Sequence, residues 1–430
     1  MNEFDYVIIG NSAGAIGCIE GIRSVDNTGT IALVSEEAHH VYSRALIPYF
    51  LSGATGTSGM AFRPPDFYER AGVRLFLNKK AVKINFGDKE VVLDDGNKLG
   101  YGKLLLATGG KPVFPPIPGL RKKNVFSFHS IKDALGIKQH MAGARNAVVL
   151  GGGVIGLMAA EVLLKKNIKV CVLELADRVL APVVDVTASR MVEETFREAG
   201  VEVLTNNTVA AVHGKEYVEK VTLQDGRTIP CDLLIVGIGV TPRVELAEET
   251  ELEVDRGIVV NEQMQTSVSD VYACGDCISV YNFVTGLKQP LPLWPNAYLG
   301  GRIAGVNMAG KTREYTTGTS MNAMHFFDLN LINAGVNATA DGDADWHVVS
   351  KLDPEKKIYR KFTIDRDGVL RGFILIGQVA RAGILLNLMR KKIDVRGFQQ
   401  ELLRDNFGYA DLPDLIRWHL LKEHMILGVV

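Results

Sequence analysis

The apolar positions of this 430-residue chain fall into short unbroken runs, most of them closed by a small-residue turn. Tyr6 to Ile9 is the first. A turn spanning Gly10, Ser12, Ala13 and Gly14 follows it, and Ala15, Ile16, Ile19 and Ile22 then recur at helical spacing. That pattern predicts a strand, a tight turn and a helix. Thr30–Val34 reads as a second buried strand, with Glu36 just past its end. The order repeats further on: strand Ala147–Leu150, a glycine turn, a helix through Leu164, strand Val170–Leu173, then Glu174. LLLATGG (104–110) and LLIVGIGVTP (233–242) are buried strands running into glycine turns, and they bracket this second unit. One strand–turn–helix fold is therefore expected inside another. Val271–Ala273 is a further strand, leading into Gly275 and Asp276. Nearer the C-terminus, HVVSKLD and YRKFTID read as strands, followed by GVLRGFILIG and a helix.

A strand that turns tightly into a helix aims unshielded N–H groups at one spot, which suits a pyrophosphate. In the first unit Gly10 allows the turn, while Ser12 and Gly14 keep the approach open. Ser12 and Ala15 occupy the second and third glycine places, so the strict G-x-G-x-x-G is broken there. The second unit keeps it whole with Gly151, Gly153 and Gly156. Glu36 and Glu174 stand where a carboxylate accepts ribose hydroxyls. A carboxylate at Glu174 repels a 2′-phosphate, and Arg178 is the nearest cation, so NADH is favoured over NADPH. Asp276 is placed to hold the hydroxyls of a ribityl chain.

Composition narrows the class. Apolar residues make up 47% and charged residues 23%, with a net charge of −1. Neither nucleic acid nor a membrane surface is an expected partner. The N-terminus lacks the basic stretch and cleavage site of a secretory leader, and no apolar run reaches the length of a membrane helix. Five cysteines do not make a disulfide framework in a chain this long, so a cytoplasmic protein is expected.

Taken in order, GNSAG (10–14), ATGG (107–110), GGGVIG (151–156), GIGVTP (237–242) and YACGD (272–276) resemble the two-dinucleotide-binding-domain flavoproteins, the pyridine nucleotide–disulfide oxidoreductase superfamily. The resemblance implies an α/β fold with two Rossmann-like dinucleotide-binding domains and a small α+β C-terminal interface domain. Residues 1–112 and 242–322 would form the FAD domain, 113–241 the NAD domain, 323–400 the interface domain and 401–430 a helical tail. Carried over by motif, Gly10, Ser12, Ala13, Gly14, Glu36, Thr108, Gly109, Gly275 and Asp276 would contact FAD, with Ala81 meeting the adenine through its backbone. Gly151, Gly153, Gly156, Glu174 and Gly239 would serve NADH. VYSRALIPYFLSG (41–53), LWPNAYLGGRIAGVNMAG (293–310) and RGFILIGQVARAGILLNLMRKK (371–392) look like the NADH:rubredoxin oxidoreductase and nitrite-reductase flavin-module branch. There Arg44 would pack beside FAD, and Trp294, Pro295 and Asn296 would open a helix facing the flavin. Such relatives often form homodimers.

The chain departs from its relatives at the flavin. The redox cysteine of peroxidase and oxidase relatives aligns with Ala45 or Arg44, and no cysteine lies between Cys18 and Cys171. A lysine–glutamate pair of several relatives aligns with Tyr49 and Met158, and a frequent tyrosine with Val154. Thiol chemistry is therefore not expected. The Cys274/Cys277 pair brackets the FAD motif and reads as structural. His39 and His40 are adjacent and point apart, His325 reads as packed or on a rim, and no metal site is expected. Catalysis would need no side chain beyond the flavin, because hydride transfer depends on orientation. The expected activity is NADH oxidation with electrons passed to a rubredoxin, ferredoxin or related iron–sulfur carrier. The alternatives are a peroxide-forming NADH oxidase and a redox-gated regulatory protein. Arg390, Lys391, Lys392 and Arg396 either complement a helix C-terminus or form a docking face for an acidic carrier. With no siroheme or iron–sulfur cysteine module, a complete nitrite reductase is not expected, although a separate subunit could supply one.

Overall fold

The computed structural model describes residues 2–337, 345–418 and 420. Its helices are α1 (Ala13–Arg23), α2 (Ile47–Ser52), α3 (Phe67–Arg70), α4 (Ile131–Met141), α5 (Val154–Leu164), α6 (Val186–Glu198), α7 (Trp294–Met308) and α8 (Ala382–Arg390).

The first sheet has a parallel part, Val73–Leu77, Ile31–Ser35, Asn2–Ile9 and Lys98–Leu106, and Glu90–Leu93 and Ala81–Asn85 extend it antiparallel. The second half of Lys98–Leu106 also pairs in parallel with Val271–Ala273, which arrives from much later in the chain. Register places Ile9 opposite Val34 and Leu106, and Leu106 opposite Ala273. Four strands therefore end on one level. Val7, Ile8, Leu33, Leu104, Leu105 and Leu106 have no exposed surface, because helices and loops cover both faces of a parallel sheet. This is why the sequence shows unbroken apolar runs rather than alternation. Helices α1 and α7 cross glycine to glycine: a Cβ on Gly301 would lie 1.9 Å from the Gly14 carbonyl oxygen. Their backbones touch, and that contact fixes the N-terminus of α7 beside the first glycine turn.

The second sheet is parallel in the order Glu202–Leu204, Lys169–Leu173, Asn146–Leu150, Leu233–Val236 and Val125–Ser127. An antiparallel pair, Gly110–Pro112 with Val240–Pro242, carries the chain between the two sheets. The third sheet is antiparallel: Met321–Phe326, Leu329–Gly335, Leu370–Ile376, Ile358–Ile364 and His347–Asp353. Its first two strands are absent from the reading of the sequence above. Asparagines, which are poor strand formers, break up their alternation. One face of this sheet carries α8. The other shares a core with the second sheet, through Met324, Phe326, Leu331, Tyr359 and Ile376.

Along 401–420 the structure has short 3₁₀ turns at Glu401–Leu403 and Tyr409–Asp411 and helical turns from Asp414. The rest of the expected helical tail, 421–430, lies outside the described residues. No helix among the described residues is long and apolar enough to cross a membrane.

Candidate functional site

The strand ends of the first sheet gather one set of the predicted residues. Gly10 follows Ile9, Glu36 follows Ser35, Thr108 and Gly109 follow Leu106, and Gly275 and Asp276 follow Ala273 across Cys274. This is the crevice at the carboxyl ends of parallel strands, where ligands of such sheets bind. Gly10 has φ +119°, and a Cβ there would lie 2.1 Å from the Ala107 carbonyl oxygen. No side chain fits, so the loop passes close against the neighbouring strand. Ala81 is buried at the start of strand Ala81–Asn85. The second sheet gathers the other set: Gly151 follows Leu150, Glu174 follows Leu173, and Gly237 follows Val236. Gly153 is the N-cap of α5. A Cβ on Gly156 would lie 1.9 Å from the Gly151 carbonyl oxygen, so the helix can start close against its strand only with glycine there. Gly239 (φ +117°) accepts a hydrogen bond from Val113 N in the crossing between sheets.

Helix starts in this molecule differ in how their N–H groups are satisfied. Ser130 caps α4 by accepting from Asp133 N, and Asp185 caps α6 by accepting from Ala188 N. At α1 and α5 the N-caps, Ser12 and Gly153, make no side-chain cap bond, and neither first turn holds an acid. Their leading N–H groups are left to an external acceptor, and the helix dipole favours an anionic one. That fits the pyrophosphate of a dinucleotide at each loop.

The carboxylates are engaged differently. Glu174 accepts from Ala176 N at 2.8 Å in its own loop and from Gly152 N at 2.7 Å in the glycine turn on the neighbouring strand end. Glu36 is ion-paired with Arg243, 207 residues away. Arg243 also ties its backbone to the ATGG turn: its N donates to the Gly109 carbonyl, and its own carbonyl accepts from Thr108 Oγ1 at 2.8 Å. Asp276 is recessed, and burial raises its pKa against the pull of Arg44. A carboxylate in that state is stabilised by hydroxyl donors, which is what a ribityl chain offers.

Arg44 and Ala45 lie on a 3₁₀ turn (Arg44–Leu46). Arg44 pairs with Glu37 at 3.1 Å and donates to the His129 carbonyl at 2.9 Å. His129 was missed by the reading of the sequence. Burial, then Arg44, pushes its imidazole down to about 4. No motif marks it; the one available signal was its position just before a capping serine. Tyr42 joins the same junction, its hydroxyl accepting from Ile131 N at the start of α4. Tyr49 is 54% exposed, whereas Met158 and Val154 pack against the second core. Trp294 opens α7 and packs edge-on against Phe62. His325 is exposed on its strand, and His40 packs against Tyr68. Arg396 is paired with Asp394, so the cations after α8 are not a uniform free patch.

Residues 4–301 match the family model described as pyridine nucleotide-disulphide oxidoreductase. The chain belongs to that family. It is thus an oxidoreductase, and the cofactors of its family are FAD and a pyridine nucleotide. The chain is 33% identical over 393 residues to the epsilon subunit of the NADH-dependent phenylglyoxylate dehydrogenase of Aromatoleum evansii, covering 91% of this chain and 92% of that one. It is 34% identical over 306 residues to rubredoxin-NAD(+) reductase of Pseudomonas putida, covering 71% and 80%. Against nitrite reductase [NAD(P)H] of Bacillus subtilis, 29% identical, it spans 92% of its own length but 48% of the relative's. Among solved structures, the reductase of a covalent putidaredoxin reductase–putidaredoxin complex superposes with a TM-score of 0.84 at 26% identity, covering 92% and 94%. Within a family named for disulphides, all five cysteines of this chain are free and buried. Burial pushes the Cys171 and Cys231 thiols up to about 12 and raises Cys274 and Cys277 as well. None is a thiolate nucleophile at neutral pH.

Proposed function

We propose that this chain oxidises NADH through a bound FAD and passes the electrons to a small iron–sulfur or rubredoxin-type carrier. One observation carries the reading: the flavin-side turn presents Arg44 and Ala45 and no thiol, and every cysteine is buried. FAD, when bound, accepts a hydride and releases electrons singly. The chain's part is to hold and orient. The uncapped starts of α1 and α5 take the two pyrophosphates. Glu36 and Asp276 accept hydroxyls of FAD, Arg44 and Thr108 line its crevice, and Ala81 backs the adenine. Glu174 accepts the adenosine ribose of NADH and disfavours a 2′-phosphate. The FAD-binding unit is 1–112 with 242–322, the NADH unit 113–241 and the C-terminal unit 323–400. The names of the rubredoxin and putidaredoxin relatives support the carrier class. A cytoplasmic site of action and a homodimer belong to the same reading.

A second reading rests on an NADH oxidase of Methanocaldococcus jannaschii, 30% identical over 423 residues. In that case the product is peroxide, since no thiol supports reduction to water. Stopped-flow mixing of the FAD-loaded protein with NADH separates these. Fast bleaching followed by rapid reoxidation by rubredoxin or ferredoxin, and slow reoxidation by oxygen, is the expected result. Fast reoxidation by oxygen with stoichiometric peroxide selects the oxidase. Absent bleaching overturns both and leaves a regulatory protein.

A further inference from the structure

The strand Ile358–Ile364 is buried along its whole length, yet it carries a lysine and a tyrosine facing the nucleotide-binding sheet. Lys361 and Tyr359 each keep only 4% of their surface. Both reach Asp185: Tyr359 Oη donates to its Oδ2 at 2.7 Å, and Lys361 Nζ lies 3.2 Å from the same oxygen. Lys361 also donates to the Asn337 carbonyl at 3.1 Å. The other oxygen of Asp185 caps α6 through Ala188 N. A buried charge persists only where it is paired and bonded in this way.

The contact continues toward the glycine loop. From the same sheet, Asn333, 1% exposed, donates its side-chain amide to the Val183 carbonyl at 3.0 Å. Val183 N and Val184 N both bond the Leu180 carbonyl. Leu180 has φ +53°, a left-handed conformation that a leucine holds only where its surroundings enforce it. Its N–H donates to the Gly152 carbonyl at 3.0 Å, while Gly152 N donates to Glu174. The peptide groups of Gly152 are thereby held from both sides, by Glu174 and by a loop anchored on the third sheet. Side-chain anchors from the C-terminal sheet hold a loop that is itself one hydrogen bond from the G-x-G-x-x-G turn.

We propose that Lys361 and Tyr359, through Asp185, are positioning residues for the pyridine nucleotide: the C-terminal sheet holds loop 178–185 so that the Gly151–Gly156 turn is pre-shaped for its pyrophosphate. The proposal rests on the reading of that turn as the NADH site. It predicts that loosening this anchor weakens nucleotide binding and leaves the flavin site intact, because neither residue touches the first sheet's crevice.

The test is equilibrium binding of ADP-ribose by calorimetry, alongside stopped-flow reduction of the FAD-loaded protein over a range of NADH concentrations. Lys361→Met is expected to raise the ADP-ribose Kd and the half-saturating NADH concentration about tenfold, a typical result of small misplacement. FAD content and the limiting reduction rate stay within about twofold. Tyr359→Phe, which keeps the ring and its packing, raises both by about threefold. Lys357→Ala removes the exposed Lys357–Glu198 pair between the same two units and serves as the control, with Kd unchanged. If Tyr359→Phe and Lys361→Met bind ADP-ribose like the parent while their thermal midpoints fall, the cluster is structural and the proposal fails. It also fails if Lys357→Ala weakens binding as much as they do. A parent chain that binds FAD but no ADP-ribose overturns the assignment of the turn itself, a result distinct from failure of the anchor.

Discussion

The two glycine turns of this molecule solve one problem by different routes. The second is local: Glu174 bonds N–H groups two residues ahead of it and at the turn it faces, and the glycine spacing is complete. The first is assembled from distant pieces. Glu36 meets Arg243 from the return crossing, Asp276 comes from a strand placed after the whole second sheet, and Arg44 bridges Glu37 to His129. The second site keeps a strict motif because glycine, helix start and carboxylate sit on adjacent strand ends, and it takes one outside brace, from Leu180 N to the Gly152 carbonyl. A composite site tolerates Ser12 and Ala15 in glycine places because distant residues share the work.

The largest test of this contrast is steric. Gly156→Val puts a side chain into the Gly151 carbonyl, and NADH affinity should fall at least about 100-fold with FAD content preserved. Gly10→Val meets the Ala107 carbonyl in a left-handed backbone, so it should purify without flavin and with a lowered thermal midpoint. If Gly156→Val also loses FAD, the two sites are not separable in the way described.

Next in size are the carboxylates. Glu174→Ala strands the Gly152 and Ala176 N–H groups as well as removing the proposed ribose acceptor, an expected loss of roughly 2 kcal/mol in NADH binding. Glu36→Ala leaves Arg243 in place, and FAD affinity should fall only a few-fold, on the order of 1 kcal/mol. Fluorescence titration of flavin and nucleotide measures both. Equal losses would remove the distinction between local and composite sites.

His129 gives the composite site a pH dependence of its own. Its folded pKa, about 4, lies below the ordinary histidine value near 6.5. The unfolded chain therefore binds the proton first, and stability present above about pH 6.5 is lost as the pH falls toward 4. For a partly buried ring the loss is roughly 1–2 kcal/mol. Urea midpoints of the flavin-free protein at pH 7 and pH 4.5 read it, and His129→Asn should flatten that difference.

This contrast also explains what the sequence displayed. Unbroken apolar runs and glycine turns placed both parallel sheets, and Glu174 lay a fixed step past its strand. Arg243 and His129 carry no pattern of their own, since their roles come from segments meeting across 207 and 85 residues. The segment Tyr42–Met60 precedes the second unit in the chain but packs its Ile47, Phe50 and Leu51 into that unit's core. Periodicity shows that a face is apolar, not which neighbour covers it. Lys361 was equally silent, because beside Arg360 it reads as a solvated strand position rather than a buried charge.

The smallest effect concerns the Glu36–Arg243 pair itself. Both side chains keep more than a third of their surface, so water and salt screen the attraction, and the pair stabilises the flavin-free fold by under about 1 kcal/mol. A double-mutant cycle with Glu36→Gln and Arg243→Gln should return that small coupling at low salt and almost none at 1 M. A coupling several times larger, or one indifferent to salt, would mean that the composite crevice is locked before flavin arrives. A small one means that Glu36 exchanges its arginine for a ribose at little cost, so the distant contacts that build the first site also leave it ready to bind.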